Sequence, residues 1–264
     1  MTPLLQRAKY WAAVAATACL LPAACAAEPL DSLISMTSKQ VSEFVEQFSS
    51  VKCIEQVRQE KFGKDDKVVL KEDSTYDYLV ILTNTGGELS LDESRLAVRQ
   101  AKTDKKNTSM LVSNGFATLF LVFHPYYTGS FQFTALEDEI IDGKRLSKVA
   151  FQHVRGTRSV AALALRGKEY PLELSGYAWI DPQTGIIVRI TASVENTMED
   201  VGLKTLRAEV RYAPVPFRDS KDIYWFPSQA TVEVETPRQH WRNTHNFSEY
   251  KKFSVSTEEQ VANK

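Results

Sequence analysis

Two turn sequences constrain this chain more than any other feature in it. Asp142-Gly143 separates Ser130–Ile141 from Lys144–Val154, and Asp181-Pro182-Gln183-Thr184-Gly185 separates Glu173–Ile180 from Ile186–Val194. An Asp-Gly pair between two strand-like runs calls for a tight hairpin, because both residues tolerate positive φ. The Pro-Gln-Thr-Gly turn reverses the chain by similar means. Hairpins pair antiparallel neighbours, so these turns commit the chain to antiparallel sheet.

More strands precede and follow. Lys52–Phe62 and Val68–Leu82 flank a turn at Gly63-Lys64-Asp65-Asp66, and Glu88–Val98 resumes after Gly86-Gly87. Counting by twos puts Tyr76, Tyr78, Val80 and Leu82 on one face. Leu203–Tyr212 is expected to close at Pro214 and Pro216. Trp225–Glu235 and Trp241–Val255 join through Thr236-Pro237-Arg238. Ala101–Ser109 reads as a charged loop, and Gly156–Tyr170 as a loop with an apolar centre, Val160–Leu165. Nine or ten strands of this kind make a mainly β, α+β fold with one large antiparallel sheet, which must curl or stack to bury its apolar side. Trp179 and Trp225 are expected on the concave side.

Two helices interrupt the pattern. Thr37-Ser38-Lys39-Gln40 reads as a capping box, and Val41, Phe44, Val45 and Phe48 follow at helical spacing. Asn114–Phe123 is apolar on every side, with Pro125 as its stop. Such a helix is buried or faces lipid, so it is either a core helix or a lid over an apolar cavity.

The N-terminus has the three parts of a secretory signal. Arg7 and Lys9 are followed by the apolar run Tyr10–Leu21, then Pro22 and small residues, with no acid before Glu28. The run is too short for a permanent span, which needs about 20 residues. The expected division is a signal peptide over 1–26 and a single domain over 27–264. Cleavage after Ala26 would release a soluble protein; lipidation of Cys25 would anchor it to the outer membrane. Either way the site of work is the periplasm or beyond.

Losing Arg7 and Lys9 with residues 1–26 takes the formal charge from −1 to −3. That lacks the basic surplus of a nucleic-acid binder. Cleavage after Ala26 leaves Cys53 as the only cysteine. An internal disulfide is then ruled out, and the fold must stand on packing. Cys53 itself is expected to pack as a small apolar residue.

Chemistry-bearing patterns are sparse. There is no nucleophile elbow, zincin motif, phosphate-binding loop or dinucleotide fingerprint. His240 and His245 are five apart, so on one strand they point to opposite faces. No catalytic residue, metal ligand or cofactor is assigned. Arg155, Arg158, Arg166 and Lys168 bracket Val160–Leu165, and cations beside apolar residues suit a lipid head group or an envelope membrane surface.

The order of elements resembles a known superfamily. A helix ends in Phe48-Ser49-Ser50-Val51, and a first strand carries Gln56 and Gln59-Glu60-Lys61. Later come Gly176-Tyr177-Ala178-Trp179-Ile180-Asp181-Pro182-Gln183-Thr184-Gly185, Tyr224-Trp225-Phe226-Pro227 and Phe247-Ser248-Glu249-Tyr250-Lys251-Lys252-Phe253. This is similar to the LolA/LolB-like periplasmic lipoprotein carriers and related outer-membrane lipoprotein-sorting proteins. The resemblance implies an incomplete β-barrel closed by helices, with an apolar cavity for the acyl chains of a lipid or lipoprotein. No arginine here is matched to the one that couples lid to barrel in the carriers. The expected lining is Phe44, Phe48, Leu119, Phe120, Phe123, Trp179 and Trp225, in a monomer. The rival classes are an envelope enzyme, betrayed by titratable groups with shifted pKa values gathered in the cavity, and an envelope scaffold or assembly protein, betrayed by a large exposed apolar patch or an open sheet edge with no interior cavity.

Overall fold

In the computed structural model the described residues are 30–85, 88–99, 116–165, 168–194, 196–198, 202–217 and 223–252. The expected signal peptide, Cys25, Gly86-Gly87, the loop 101–109, Asn114 and Arg166 lie outside them.

The first helix, α1, is Leu30–Phe48. It begins seven residues before the expected cap. The reason is a longer stripe: Leu33, Thr37, Val41, Val45 and Phe48 are all buried on one side, so Thr37 is a mid-helix residue facing the sheet rather than a cap. Strands β1 (Val51–Phe62), β2 (Val68–Thr85) and β3 (Glu88–Arg99) then form a meander. A 3-10 helix, Phe116–Phe123, is kinked at Thr118. Pro125 ends it and opens the four-residue α2, Pro125–Thr128, whose N-cap His124 accepts from the Tyr126 amide at 3.1 Å. Leu119 to Phe123 are buried on every side, as an all-apolar segment requires.

From there the chain is almost wholly strand: β4 (Phe131–Ala135), β5 (Glu139–Ile141), β6 (Lys144–His153), β7 (Ala162–Leu165), β8 (Lys168–Pro171), β9 (Leu174–Ile180), β10 (Ile187–Val194), β11 (Thr205–Pro216), β12 (Ile223–Glu235) and β13 (His240–Lys252). The Asp142-Gly143 turn has positive φ at both residues (50° and 77°), as a tight hairpin demands. The expected loop 156–170 holds a small separate hairpin, β7 with β8.

The expected strand end at Pro214 is overturned. β11 continues to Pro216, pairing Pro214 with Trp225 and Pro216 with Ile223. β10 pairs β11 only as far as Arg211, so beyond it one side of β11 has no β10 ladder to lose a donor from.

Eleven strands form one antiparallel sheet in the order β3-β2-β1-β13-β12-β11-β10-β9-β6-β4, with β5 also on β6. Laid flat, the nine intervals from β3 to β4 would hold the two ends roughly 43 Å apart. Yet α2, just before β4, reaches β3: the Tyr127 hydroxyl donates to the Leu89 carbonyl at 3.1 Å. The sheet therefore curls, and it remains open between its end strands. It is a mainly β fold, a half-barrel with α1 and the 3-10 helix packed into its concave side. No described helix is long and apolar enough to cross a membrane.

Gly176 and Gly185 matter to this packing. A Cβ on Gly176 would come within 1.9 Å of the Thr191 carbonyl oxygen, and one on Gly185 within 2.9 Å of the Met36 side chain. Gly185 also has φ +74°, so the β9–β10 turn can be tight and still lie under α1.

Candidate functional site

Between α1 and strands β10–β12 lies a cavity of about 200 Å3. α1 contributes Gln40, Val41, Phe44 and Gln47, which share a helix face by their three- and four-residue spacing. The β9–β10 turn supplies Gly185 to Ile187, the 3-10 helix supplies Phe120, and β11 supplies Tyr212. Ile223, Tyr224 and Trp225 of β12 complete the wall. No charged side chain is among these residues.

The cavity backs onto an aromatic cluster. The Phe44 ring meets Phe120 edge-on at 4.4 Å and stacks with Phe48 at 5.3 Å. Phe226 lies 5.7 Å from Phe48, and Tyr250 stacks on Phe226 at 4.9 Å. Burial pushes the Tyr212 hydroxyl well above its ordinary pKa, so it stays neutral.

Of the seven residues expected to line a cavity, Phe44, Phe120 and Trp225 do. Phe48, Leu119 and Phe123 lie behind it in the core, Phe123 against Phe133 and Phe151. Trp179 corrects the expectation. Alternation along β9 sends Leu174, Ala178 and Ile180 to the concave core and turns Trp179 to the convex face. There its indole donates to Glu139 at 2.8 Å, and the Arg189 guanidinium lies 4.5 Å from its ring. Bulk alone suggested an inward Trp; the polar partners that cover it outside come from β5, β6 and β10.

The expected head-group cations are elsewhere too. Arg155 is exposed and paired with Glu173 at 3.1 Å. Arg158 lies over the Tyr126 ring at 4.4 Å, beside an open hollow formed with Gly129, Ser130 and Thr157. Neither lines the cavity. Lys168 opens β8 in the separate hairpin.

The other half of the concave face carries what sequence reading missed. Glu55 of β1 is fully buried, and Arg95 of β3 grips it through Nε at 2.5 Å and Nη2 at 2.9 Å. His245 Nδ1 donates to the same carboxylate at 2.8 Å. Arg95 also pairs with Glu93 at 2.9 Å, and the Tyr78 hydroxyl donates to Glu93 at 3.0 Å. Burial by itself would raise the Glu55 carboxyl, but the hydrogen bonds from His245 and Arg95 outweigh it and hold it below the ordinary range. Nearby, burial pushes the Cys53 thiol up to about 12, which makes it a packing residue rather than a nucleophile. Only the period-two rule could have found this cluster: Cys53, Glu55 and Val57 share one face of β1, and Glu55 is the charge among them.

Gathered, shifted titratable groups were the expected mark of an enzyme. Here the most deeply buried of them, Glu55, is satisfied by its neighbours. Both Glu55 oxygens are taken by protein donors, its carboxyl is held ionised, and none of the lining described above belongs to the cluster. That is the arrangement of a structural ion-pair network, which also perturbs pKa values.

No family model matches this sequence. No curated protein matches it either. Solved structures similar to this chain include a DUF1329 family protein from Desulfovibrio piger, at 10% identity and TM-score 0.46, covering 90% of this chain and 96% of that one. A putative outer membrane lipoprotein-sorting protein domain from Vibrio parahaemolyticus is similar at 10% identity and TM-score 0.38, with 89% and 95% covered. The Mycobacterium tuberculosis lipoprotein LppX is similar at 10% identity and TM-score 0.26, with 86% and 99% covered.

Proposed function

We propose that the protein, exported and freed of residues 1–26, binds the acyl part of a lipid or lipoprotein in the cavity under α1, without chemistry. The observation that carries this reading is the cavity itself, about 200 Å3 with no charged side chain in its lining, beside a cluster of phenylalanines. A dry apolar cavity of about 150 Å3 is known to take up benzene, so this one is large enough to hold a ligand. That ratio corresponds to about eight carbons. Burying eight methylenes at about 0.8 kcal/mol each offers about 6 kcal/mol before the costs of ordering and association. The resemblance to the lipoprotein carriers agrees with this use of a half-barrel, and the signal-like N-terminus would bring envelope lipids within reach.

Ile223 offers a clean test. It lines the cavity yet is 64% exposed, so a charge there can reach the cavity without entering the core. Protein purified from an expressing bacterium is extracted with organic solvent for bound lipid, then titrated with a fluorescent fatty-acyl probe. The expected result is saturable binding near one probe per chain, weakened about tenfold in Ile223→Glu with the circular dichroism spectrum unchanged. A protein that carries no lipid and ignores the probe would end the proposal.

A further inference from the structure

We infer that a second site, on the opposite face of the sheet, binds an uncharged saccharide with the Tyr177 ring as its platform. The convex side of β4, β6, β9 and β10 holds a hollow of about 360 Å3, within the size range of small-molecule sites. Its place follows from strand register. Trp179 faces outward, so Tyr177 and Ser175, two and four residues before it on β9, face outward as well. Ser175 lies opposite Gln152 on β6 and Ser193 on β10, and Gln152 lies opposite Gln132 on β4. The next row, two residues along, runs from Thr134 through Ala150 to Tyr177. All seven residues line the hollow, and the cross-strand pair Phe151 and Gly176 lies between the rows. The hollow shares no lining residue with the cavity under α1, so it does not rest on the acyl reading.

The rows bring together two amides, Gln132 and Gln152, and three hydroxyls, Thr134, Ser175 and Ser193. Each of these groups can both donate and accept a hydrogen bond. Ala150 and Gly176 carry little or no side chain, which leaves room beside the Tyr177 ring. Tyr177 itself is 45% exposed. Lys148 and Trp179 form the row beyond it, away from Ser175. Lys148 Nζ lies 5.1 Å from the centre of the Tyr177 ring, and the Trp179 ring lies 6.4 Å from it. The tyrosine is thus braced on one side and borders the hollow on the other.

A pyranose ring has an apolar C–H face and a rim of hydroxyls. The C–H face packs on an aromatic ring, and each hydroxyl both donates and accepts, as the groups here do. Other ligands match less well. An acyl chain would cover the two amides without giving them partners. A carboxylate or phosphate only accepts, and the cations of the next row are already engaged, Lys148 by Glu139 and Arg189 by Glu209, each at 2.6 Å. An added peptide strand needs an open edge, whereas β6 and β9 have strands on both sides.

The test titrates cellobiose and N,N′-diacetylchitobiose into the isotope-labelled mature chain and follows the backbone amide resonances. Saturable shifts are expected at Gln152, Ser175 and Tyr177, with a Kd near about 1 mM for the better sugar. Tyr177→Ala is expected to weaken binding about tenfold with the circular dichroism spectrum unchanged, while Tyr177→Phe keeps it, because the ring does the stacking. Gln152→Ala should weaken binding about fivefold. Cellotetraose separates two sources of the same chemistry. A tighter fit than cellobiose marks a glycan chain laid across the strands, equal affinity marks a free sugar, and either result supports the site. No shift at these amides with either disaccharide at about 20 mM would overturn the inference. So would shifts confined to residues around the cavity under α1, or a Tyr177→Ala protein that binds as the wild type does.

Discussion

On the concave face, β10–β12 and β1–β3 bury opposite chemistry. The first group meets α1 through Phe44, Phe48, Phe120 and Phe226 and leaves a cavity. The second, with β13, holds Glu55, Glu93, Arg95 and His245 in mutual contact. Apolar packing has no fixed direction, so rings can shift to admit a chain at modest cost. The ionic cluster has no such freedom, because each charge is tolerable only while its particular partners stay in place. The difference assigns the two halves different duties. One can yield to a ligand, while the other pins β1, β2, β3 and β13 together at the sheet's open end.

The sharpest way to break this comparison is Arg95→Met. It keeps the bulk and leaves Glu55 buried beside His245 without its guanidinium. A loss of about 3–5 kcal/mol in urea unfolding is expected, the cost of an orphaned buried charge. A loss below about 1 kcal/mol would mean that Arg95 does not hold the end strands.

Acid removes the same interaction more gently, since Glu55 then loses its charge instead of its partner. Because its folded pKa is depressed, its contribution is complete above the unfolded glutamate value of about 4.3 and is lost as pH falls through the lower folded value. Glu209, held low by Arg211 and Arg189, and Glu233, held low by His240 and Arg242 against the opposing effect of burial, add to the slope. Urea midpoints followed from pH 7 to pH 2 should therefore drop more steeply in the wild type than in Glu55→Gln. Identical slopes would show that the cluster does not couple stability to protonation.

The smallest effect is expected in the apolar half. Leu119 is buried, and Leu119→Met nearly conserves its volume, so it should cost less than about 1.5 kcal/mol. A cost as large as that of Arg95→Met would erase the proposed contrast between a yielding half and a pinned one.

How much of this was legible in the chain differs by element. The hairpins at Asp142-Gly143 and Asp181–Gly185, the α1 stripe from Val41 to Phe48 and the buried segment ending at Pro125 all follow from local rules. Turn residues, helical spacing and an all-apolar surface each act over a few neighbours. The seven-residue error at the start of α1 shows where such rules stop. Thr37 resembles a cap in isolation, and only the sheet beneath it makes its position part of a buried stripe. Pro214 and Pro216 resemble strand breakers until β10 is seen to end short of them.

The sequence by itself determined the antiparallel class and the hairpin turns at Asp142-Gly143 and Asp181–Gly185, and it singled out Phe44, Phe120 and Trp225, which the structure places around the cavity. Tertiary structure alone decided that Trp179 faces outward under Glu139 and Arg189, and that Arg155 and Arg158 lie away from the cavity. It also decided that Glu55 meets Arg95 forty residues on and His245 near the far end of the described chain. The physical reason is range. Turn chemistry and periodicity are settled by residues adjacent in sequence, whereas the facing of a bulky ring and the partner of a buried charge depend on which strands become neighbours. In this sheet β1 is flanked by β2, next in sequence, and by β13, the last strand of all.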